Sequence, residues 1–591
     1  MVREDRRIRG EERPTLAIVL TWAIVSAVLI GVFANDIMSG EYHGPDDALR
    51  MVQVRDLLAG QGWYDLHQYR MTPPEGTLMH WSRLVDIPIA AFVLLFSLFL
   101  HPAPAESAAM VAVPLLVLLL TMLVIGRLSW RLFDRKTAVL VCLVLMMMPM
   151  IVVQFRPLRI DHHSWQILTI GLAVWALSWR KPAQGGAAAG LAMAVGLMIS
   201  LEVIFMSAAF ALVLFLRWLR DQSARWWLVS YLQALALGMV VLFVATRGWA
   251  DIAQHCDVIS PAHLGFFVIV ALGAGALAVP AAIPRIPLIV GLGVSGLAGL
   301  AFIGSFAPEC MAPPFAGLDP LVREFWYLNV SEGRPFWHAP TLTAIAAVVQ
   351  PLIAIAVALY LAGNSRAWTR EWWFEYALLL GIAYIAGLMT FRSIAFASIL
   401  AALPIGWFLM RLLERWRAHK TLLPKLGLAV IIYITLLPAF PVILYNMLVK
   451  PQAEDEIVAI SRSSCELRQN AVLLNQLPAG TAFAPLDLGP VLLYKTHHSV
   501  VASGHHRAEM AMRDVIDGFI SSPDRARQYI EDYGADYVFA CTDLQEPQNY
   551  LDRGGDETMT GLLLNGNSPE WLEEVELGGP DTLRAWRVVR D

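Results

Sequence analysis

Residues 107–153 read SAAMVAVPLLVLLLTMLVIGRLSWRLFDRKTAVLVCLVLMMMPMIVV. Two apolar runs, 107–125 and 138–153, flank a turn that carries Arg127, Arg131, Arg135 and Lys136. A helix needs about 20 apolar residues to cross the hydrocarbon core of a bilayer. Both runs approach that length. Positive charge stays on the cytoplasmic side, so the turn is cytoplasmic and the outer ends of both runs are external.

The same alternation continues in both directions. Upstream, residues 87–100 are apolar but short, as in a re-entrant or interfacial segment. Residues 35–83 are polar and external. The run 16–30 follows the basic segment MVREDRRIRGEERPT. No small-residue cleavage site follows it, so it reads as a retained helix rather than a signal peptide. Downstream, apolar runs recur to residue 447. Basic clusters at Arg180 and Lys181, at Arg217, Arg220 and Arg225, at Arg366 and Arg370, and at Arg411, Arg415, Arg417 and Lys420 all fall on one side. The expected fold is a polytopic α-helical membrane protein with roughly thirteen transmembrane helices. Its membrane domain is residues 1–450, with external loops at 35–85, 155–163 and 307–340. The composition agrees: 57% hydrophobic and 16% charged residues, against roughly 25% charged in soluble domains. A net charge of −5 argues against a nucleic-acid partner.

Residues 451–591 are more polar and punctuated by Gly and Pro, as in a soluble external α/β domain of about 140 residues. Residues 481–484 and 537–540 read as strands, and 523–533 as a helix with Pro near its start. Five cysteines are present, none in a Cys-x-x-Cys pattern. Cys465 with Cys541, and Cys256 with Cys310, lie on the external side. Each pair is either a disulfide or two free thiols.

Four external elements carry unusual polar residues. GPDDALR at 44–50, continuing to RDLLAG at 55–60, presents Asp46 and Asp47. Paired carboxylates are hard ligands for Mg2+ or Mn2+; either Asp also serves as the N-cap of a helix through Arg55. RIDHH at 159–163 places Asp161 and His163 two apart, within reach of one cation, or else as polar anchors of a helix end. WYLNVSEGRP at 326–335 contains Glu332. FRS at 391–393 sets Arg392 where a helix pair meets the external side. Arginine at that depth is costly unless paired or functional. A lipid-linked phosphate is its natural partner, and snorkelling is the other reading.

In order, spacing and topology these elements resemble the catalytic subunit of oligosaccharyltransferase and its single-subunit bacterial and archaeal relatives, within the GT-C membrane glycosyltransferases. The resemblance implies a metal-binding Asp in the first external loop, here Asp46, with Asp47 as the nearby competitor. Asp-His-His is similar to the archaeal second-loop motif and implies Asp161 and His163 as metal ligands. Asn329-Val330-Ser331-Glu332 resembles Ser-Val-Ser-Glu and implies that Glu332 contacts the acceptor or supports the metal. Arg392 resembles the arginine that binds the lipid-linked phosphate. Pro485-Leu486-Asp487-Leu488-Gly489 stands where the family has Trp-Trp-Asp, which reads the acceptor sequon. Asp487 is retained and both tryptophans are gone. His497, His498, His505 and His506 follow, as acceptor-site or surface-loop residues.

The resemblance implies a metal-dependent glycosyltransferase using Mn2+ or Mg2+. It would move a sugar or oligosaccharide from a polyprenyl-phosphate or -diphosphate carrier to a polysaccharide, lipid or protein acceptor. Asp46, Asp161 and Glu332 would be catalytic, and Arg392, Asp47 and Asp487 would bind substrate. A bacterial inner membrane is expected, with the active site and C-terminal domain periplasmic. The competing class is a transporter or flippase, which places ionisable residues at mid-membrane. Here most helix centres carry no charge, and Glu202 and Glu375 are expected near helix ends. A third reading is a scaffold that keeps the fold without catalysis.

Overall fold

The structure is a computed structural model and describes residues 13–40, 42, 44–312, 315–449 and 463–590. The basic segment 1–12 and the first residues of the C-terminal domain, 450–462, lie outside the described residues. The chain forms two units. One comprises Met1–Ala34, Ser82–Pro314 and Ser331–Leu448; the other comprises Asn35–Trp81, Phe315–Val330 and Val449–Asp591.

The first unit is helical and is an integral membrane body. Among the described residues nine helices are long and apolar enough to span a bilayer, or ten if the bent pair Arg135–Leu145 and Pro149–Phe155 is one span. Roughly thirteen crossings are expected from the sequence. Three further apolar runs form shorter helices: His163–Ala176, Pro261–Leu277 and Leu422–Leu436, of 14, 17 and 15 residues. Residues 83–97 form a 15-residue helix, short as expected. The span Phe391–Ala418 is 89% buried over its apolar stretch, whereas Arg285–Phe306 is 11% buried. The first is therefore the central helix. The second presents leucine, isoleucine and valine to lipid, which solvates them as water cannot.

Two local features shape this unit. Gly186 and Gly190, one helical turn apart, face the helix Arg225–Thr246. A Cβ on Gly190 would lie 2.2 Å from the carbonyl oxygen of Tyr231, and one on Gly186 2.3 Å from that of Trp227. Small residues allow this backbone approach, which drives helix association where no hydrophobic effect operates. The bent pair turns by 77° at residues 146–148. Pro149 cannot continue the preceding helix. Gln350 Nε2 donates to the Met147 carbonyl at 3.2 Å, satisfying an acceptor released by the break. The bend leads into the loop that carries Asp161.

The second unit is built on a sheet and assembled from all three of its segments. A hairpin of β1 (His67–Gln68) and β2 (Thr77–Leu78) follows the helix Pro45–Leu58. The main sheet contains β3 (Thr481–Phe483), β4 (Ser499–Val500), β5 (Tyr537–Cys541), β6 (Leu572–Val575) and β7 (Leu583–Val588), in the order β4-β3-β5-β7-β6. The β3–β4 and β3–β5 pairs are parallel, and β7 runs antiparallel to β5 and β6. All five residues of β5 are buried. The strands and the helix Pro523–Asp532 occur where the sequence places them. The β6–β7 hairpin is additional. Arg70 donates to the carbonyls of Leu493, Thr496 and His498 at 2.9, 2.7 and 2.6 Å. Arg55 donates to Tyr494 O at 2.6 Å. These guanidinium clamps fasten the first loop to the C-terminal segment. Both disulfides form, Cys256–Cys310 and Cys465–Cys541.

Candidate active site

The loop after Pro149–Phe155 brings Arg159, Asp161, His162 and His163 to the start of the helix His163–Ala176. Asp161 is 1% exposed. Its Oδ1 accepts the His162 backbone N–H at 2.6 Å and lies 2.5 Å from His162 Nδ1. Its Oδ2 lies 3.3 Å from His163 Nε2 and 3.4 Å from Arg159 Nη2. Burial alone would push this carboxyl up. The charges of His162, His163 and Arg159 outweigh it and hold Asp161 well below the usual carboxylate range. Burial pushes the His162 imidazole below its ordinary value, against the pull of Asp161.

His163 Nδ1 lies 2.9 Å from Gln166 Oε1, one helical turn on, which orients the ring. Gln166 Nε2 then donates to Glu202 Oε2 at 3.2 Å. Glu202 sits where the apolar run breaks: Ser200 accepts the Glu202 N–H and starts a short 3-10 turn. The acid is expected near a helix end, and it is there. Its place beside the site leaves no mark on the sequence. Glu375 is instead a buried partner of Arg217 and Arg220 on a separate part of the unit.

Arg392 arrives from the turn that opens the central helix. A Cβ on Gly387 would lie 2.6 Å from Ile394 Cα, so only glycine lets the turn fold back this closely. The Phe391 N–H donates to the Arg334 carbonyl at 2.9 Å, tying this turn to the one that holds Glu332. Arg392 pairs with Glu202 through Nη2, and its Nη1 lies 3.6 Å from Glu332 Oε1. Asp161, His163, Glu332 and Arg392, four residues expected from the sequence, are thus gathered in one unit with His162, Gln166 and Glu202 added.

The donor set suits a divalent cation. One ligand atom each from Asp161, His162 and His163 lie within 4.8 Å of one another. His162 Nδ1 and His163 Nε2 are buried and make no hydrogen bond in acceptable geometry, although both lie against Asp161. Imidazole and carboxylate together suit Mn2+ or Zn2+ better than Mg2+.

The other expected residues belong to the second unit. Asp47 is buried and its carboxylate accepts the Gly44 N–H at 3.0 Å, capping the helix Pro45–Leu58. Asp46, its neighbour, is half-buried. Asp487 is exposed on the loop after β3. Glu546 holds that loop: its carboxylate accepts the backbone N–H groups of Leu486 and Asp487, each at 2.8 Å. Nothing local in the sequence marks Glu546. His498 and His505 are buried rather than on surface loops, and His498 Nε2 lies 2.9 Å from Leu474 O.

No protein-family model matches the chain, and no curated protein matches its sequence. Solved structures do match. The chain resembles the apo oligosaccharyltransferase of Archaeoglobus fulgidus with TM-score 0.64 and 13% identity, over 89% of this chain and 70% of that one. It resembles the archaeal oligosaccharyltransferase AglB of Archaeoglobus fulgidus, in complex with an inhibitory peptide and a dolichol-phosphate, with TM-score 0.66 and 12% identity over 94% and 72%. The Archaeoglobus fulgidus enzyme complexed with Zn and sulfate matches with TM-score 0.59 and 12% identity over 96% and 73%. At these identities the likeness is one of fold, and the fold is that of the GT-C membrane glycosyltransferases.

Proposed function

We propose that the chain is a metal-dependent glycosyltransferase. It moves a sugar or oligosaccharide from a polyprenyl-phosphate or -diphosphate carrier to an acceptor on the external face of the membrane. The observation that carries this reading is the buried Asp161–His163 pair joined, through Gln166 and Glu202, to Arg392 and Glu332. The relatives whose fold it shares are oligosaccharyltransferases, and one of them is described with a dolichol-phosphate.

Asp161 and His163, with His162 beside them, would hold the cation, Mn2+ or Mg2+ by the resemblance. Asp46, or Asp47 in its place, is the first-loop ligand that the resemblance adds. When bound, the cation supplies positive charge against the leaving phosphate. Arg392 binds the same phosphate, exchanging its carboxylate partners for the stronger bidentate acceptor. Glu202 and Gln166 keep Arg392 and His163 in place. Glu332 orients the acceptor. Positioned charges of this kind lower the barrier by stabilising the leaving group and aligning the attack. Asp487 lies in the acceptor-reading stretch. Both tryptophans of the sequon reader are missing there, and the acceptor is a polysaccharide, a lipid or a protein. A bacterial inner membrane with a periplasmic active face accommodates this arrangement.

The deciding experiment is a transfer assay on purified protein with a lipid-linked sugar donor. Asp161→Ala and Glu332→Ala should each abolish transfer while leaving the protein in the membrane. Full activity in both variants sinks the proposal. Movement of a labelled substrate across the membrane without product would assign the chain to transporters instead.

A further inference from the structure

We propose that His80, His505 and His506 form a second metal site, selective for a borderline divalent cation such as Zn2+. All three belong to the second unit, whereas Asp161 and His163 belong to the first. His80 lies two residues past β2 in the first loop. His505 and His506 lie on the turn that leads into the helix Glu509–Ile520.

The three rings converge. His80 Nδ1 is 2.9 Å from His505 Nε2. The ring centroids are 4.9 Å apart for His80 and His505, 4.9 Å for His80 and His506, and 5.1 Å for His505 and His506. One nitrogen from each ring lies within 4.8 Å of the others. Zinc binds imidazole at about 2.0–2.1 Å in tetrahedral geometry, which places donor nitrogens roughly 3.3 Å apart. His80 Nδ1 and His505 Nε2 already lie close to that spacing.

Neutral imidazole is the form that binds metal. Aromatic walls enclose the trio: Trp81 stands edge-on to His505 at 5.7 Å, and Trp326 stacks on His506 at 6.3 Å. Phe315 meets His506 at 5.3 Å. His505 is buried, whereas His80 and His506 keep partial exposure. That combination leaves a route for a cation to enter. An all-imidazole set favours zinc, copper or nickel over magnesium. The bound ion cross-links the first loop to the C-terminal segment, and so adds to the stability of the unit.

The test uses the purified full chain in detergent, stripped with a chelator. Asp161→Asn and His163→Ala are introduced first, so that only the second site is read. Co2+ serves as the spectroscopic probe and Zn2+ as its competitor. The expected result is one equivalent of Co2+ with the intense visible absorption of a tetrahedral ion, displaced by Zn2+ but not by Mg2+. His505→Ala should abolish this signal, and His80→Gln or His506→Gln should weaken binding by more than about tenfold. Zn2+ should also raise the melting temperature of the background protein, which covers the case of a substitution that prevents folding. No stoichiometric uptake, or uptake and melting shifts that ignore all three substitutions, overturns the proposal. The trio is then a hydrogen-bonded aromatic cluster only. Neither result bears on the Asp161 site, which the background has removed.

Discussion

Arg392 is ion-paired through Nη2 with Glu202 Oε1, so the arginine expected to hold a phosphate is itself held by an acid from a break between two earlier helices. Glu202 also receives Gln166 Nε2, whose carbonyl oxygen faces His163 Nδ1. One carboxylate therefore orients both the proposed phosphate-binding group and a metal-ligand candidate. Glu202→Gln removes the charge that aligns Arg392. Turnover should fall by about 10- to 100-fold, with a raised KM for the lipid-linked donor, since small misplacements carry costs of this size. Glu202→Asp should recover part of the loss. Equal activity of the Gln variant and the parent would remove Glu202 from the machinery.

In the proposed mechanism Asp161 anchors the cation, so activity should disappear on chelation and return on addition of Mn2+ or Mg2+. In Asp161→Asn the carboxylate becomes a neutral amide, and the metal concentration for half-maximal activity should rise at least about tenfold, because hard cations favour anionic oxygen donors. A metal titration of the donor-turnover assay checks this. Transfer that survives exhaustive chelation contradicts it.

The parts of this site that can be read from the sequence are polar residues that stand out against an apolar background. Asp161, His163 and Arg392 interrupt or border long hydrophobic runs, where an ionisable group is costly and so informative. Glu202 interrupts such a run too. Its sequence neighbours give no sign that it meets Arg392. That meeting depends on two breaks, at Ser200 and at Thr390, which direct both side chains to one place. Long apolar helices are legible by length, and the shorter ones less so, because 14 to 17 apolar residues serve either a span or a buried helix. In the second unit β5 is a continuous apolar strand and announces itself. The strands Leu572–Val575 and Leu583–Val588 carry Glu and Arg on exposed positions, which hides them among surface loops. The union of residues 35–81 with the C-terminal segment rests on Arg55 and Arg70 donating to distant carbonyls, and carbonyl acceptors leave no mark on a sequence.

The Cys465–Cys541 disulfide closes a loop of 76 residues in sequence and joins β5 to the start of the second unit's described C-terminal segment. Loop-closure entropy for a span of that length corresponds to about 4 kcal/mol. Replacing both cysteines by serine should lower the melting temperature of the unit, and reduction of the parent protein should reproduce the shift. Cys256–Cys310, with a separation of 54, should behave in the same way in the membrane unit. Melting followed by the fluorescence of the many tryptophans, with and without reductant, provides the measurement. Unchanged melting under reduction that is verified by thiol titration would refute it.

Glu546 provides a pH dependence with a definite sign. Burial, reinforced by the nearby Asp487 carboxylate, raises this carboxyl from an ordinary 4.5 to about 8. The unfolded chain therefore releases the proton near pH 4.5, while the folded unit retains it to about pH 8. Between those values the folded state binds more protons, so stability declines as pH rises, by up to about 1.4 kcal/mol per pH unit. The contribution is complete below pH 4.5 and is lost above pH 8. The backbone N–H groups of Leu486 and Asp487 and the hydroxyl of Tyr550 all rest on this carboxyl. Ionisation strengthens these bonds, but it sets a second negative charge beside the Asp487 carboxylate in a buried place, and that repulsion should loosen the loop that carries Asp487. Hydrogen exchange at residues 486 and 487 should speed up across this range. Glu546→Gln cannot ionise and should flatten the slope. Its amide nitrogen cannot accept a backbone N–H, so at low pH the variant should be less stable than the parent by about 1 kcal/mol. A parent protein whose stability holds constant or rises from about pH 5 to about pH 8, with the Glu546→Gln variant following the same course, would show that the carboxyl is ionised throughout. The two backbone N–H groups would then suffice to keep it so.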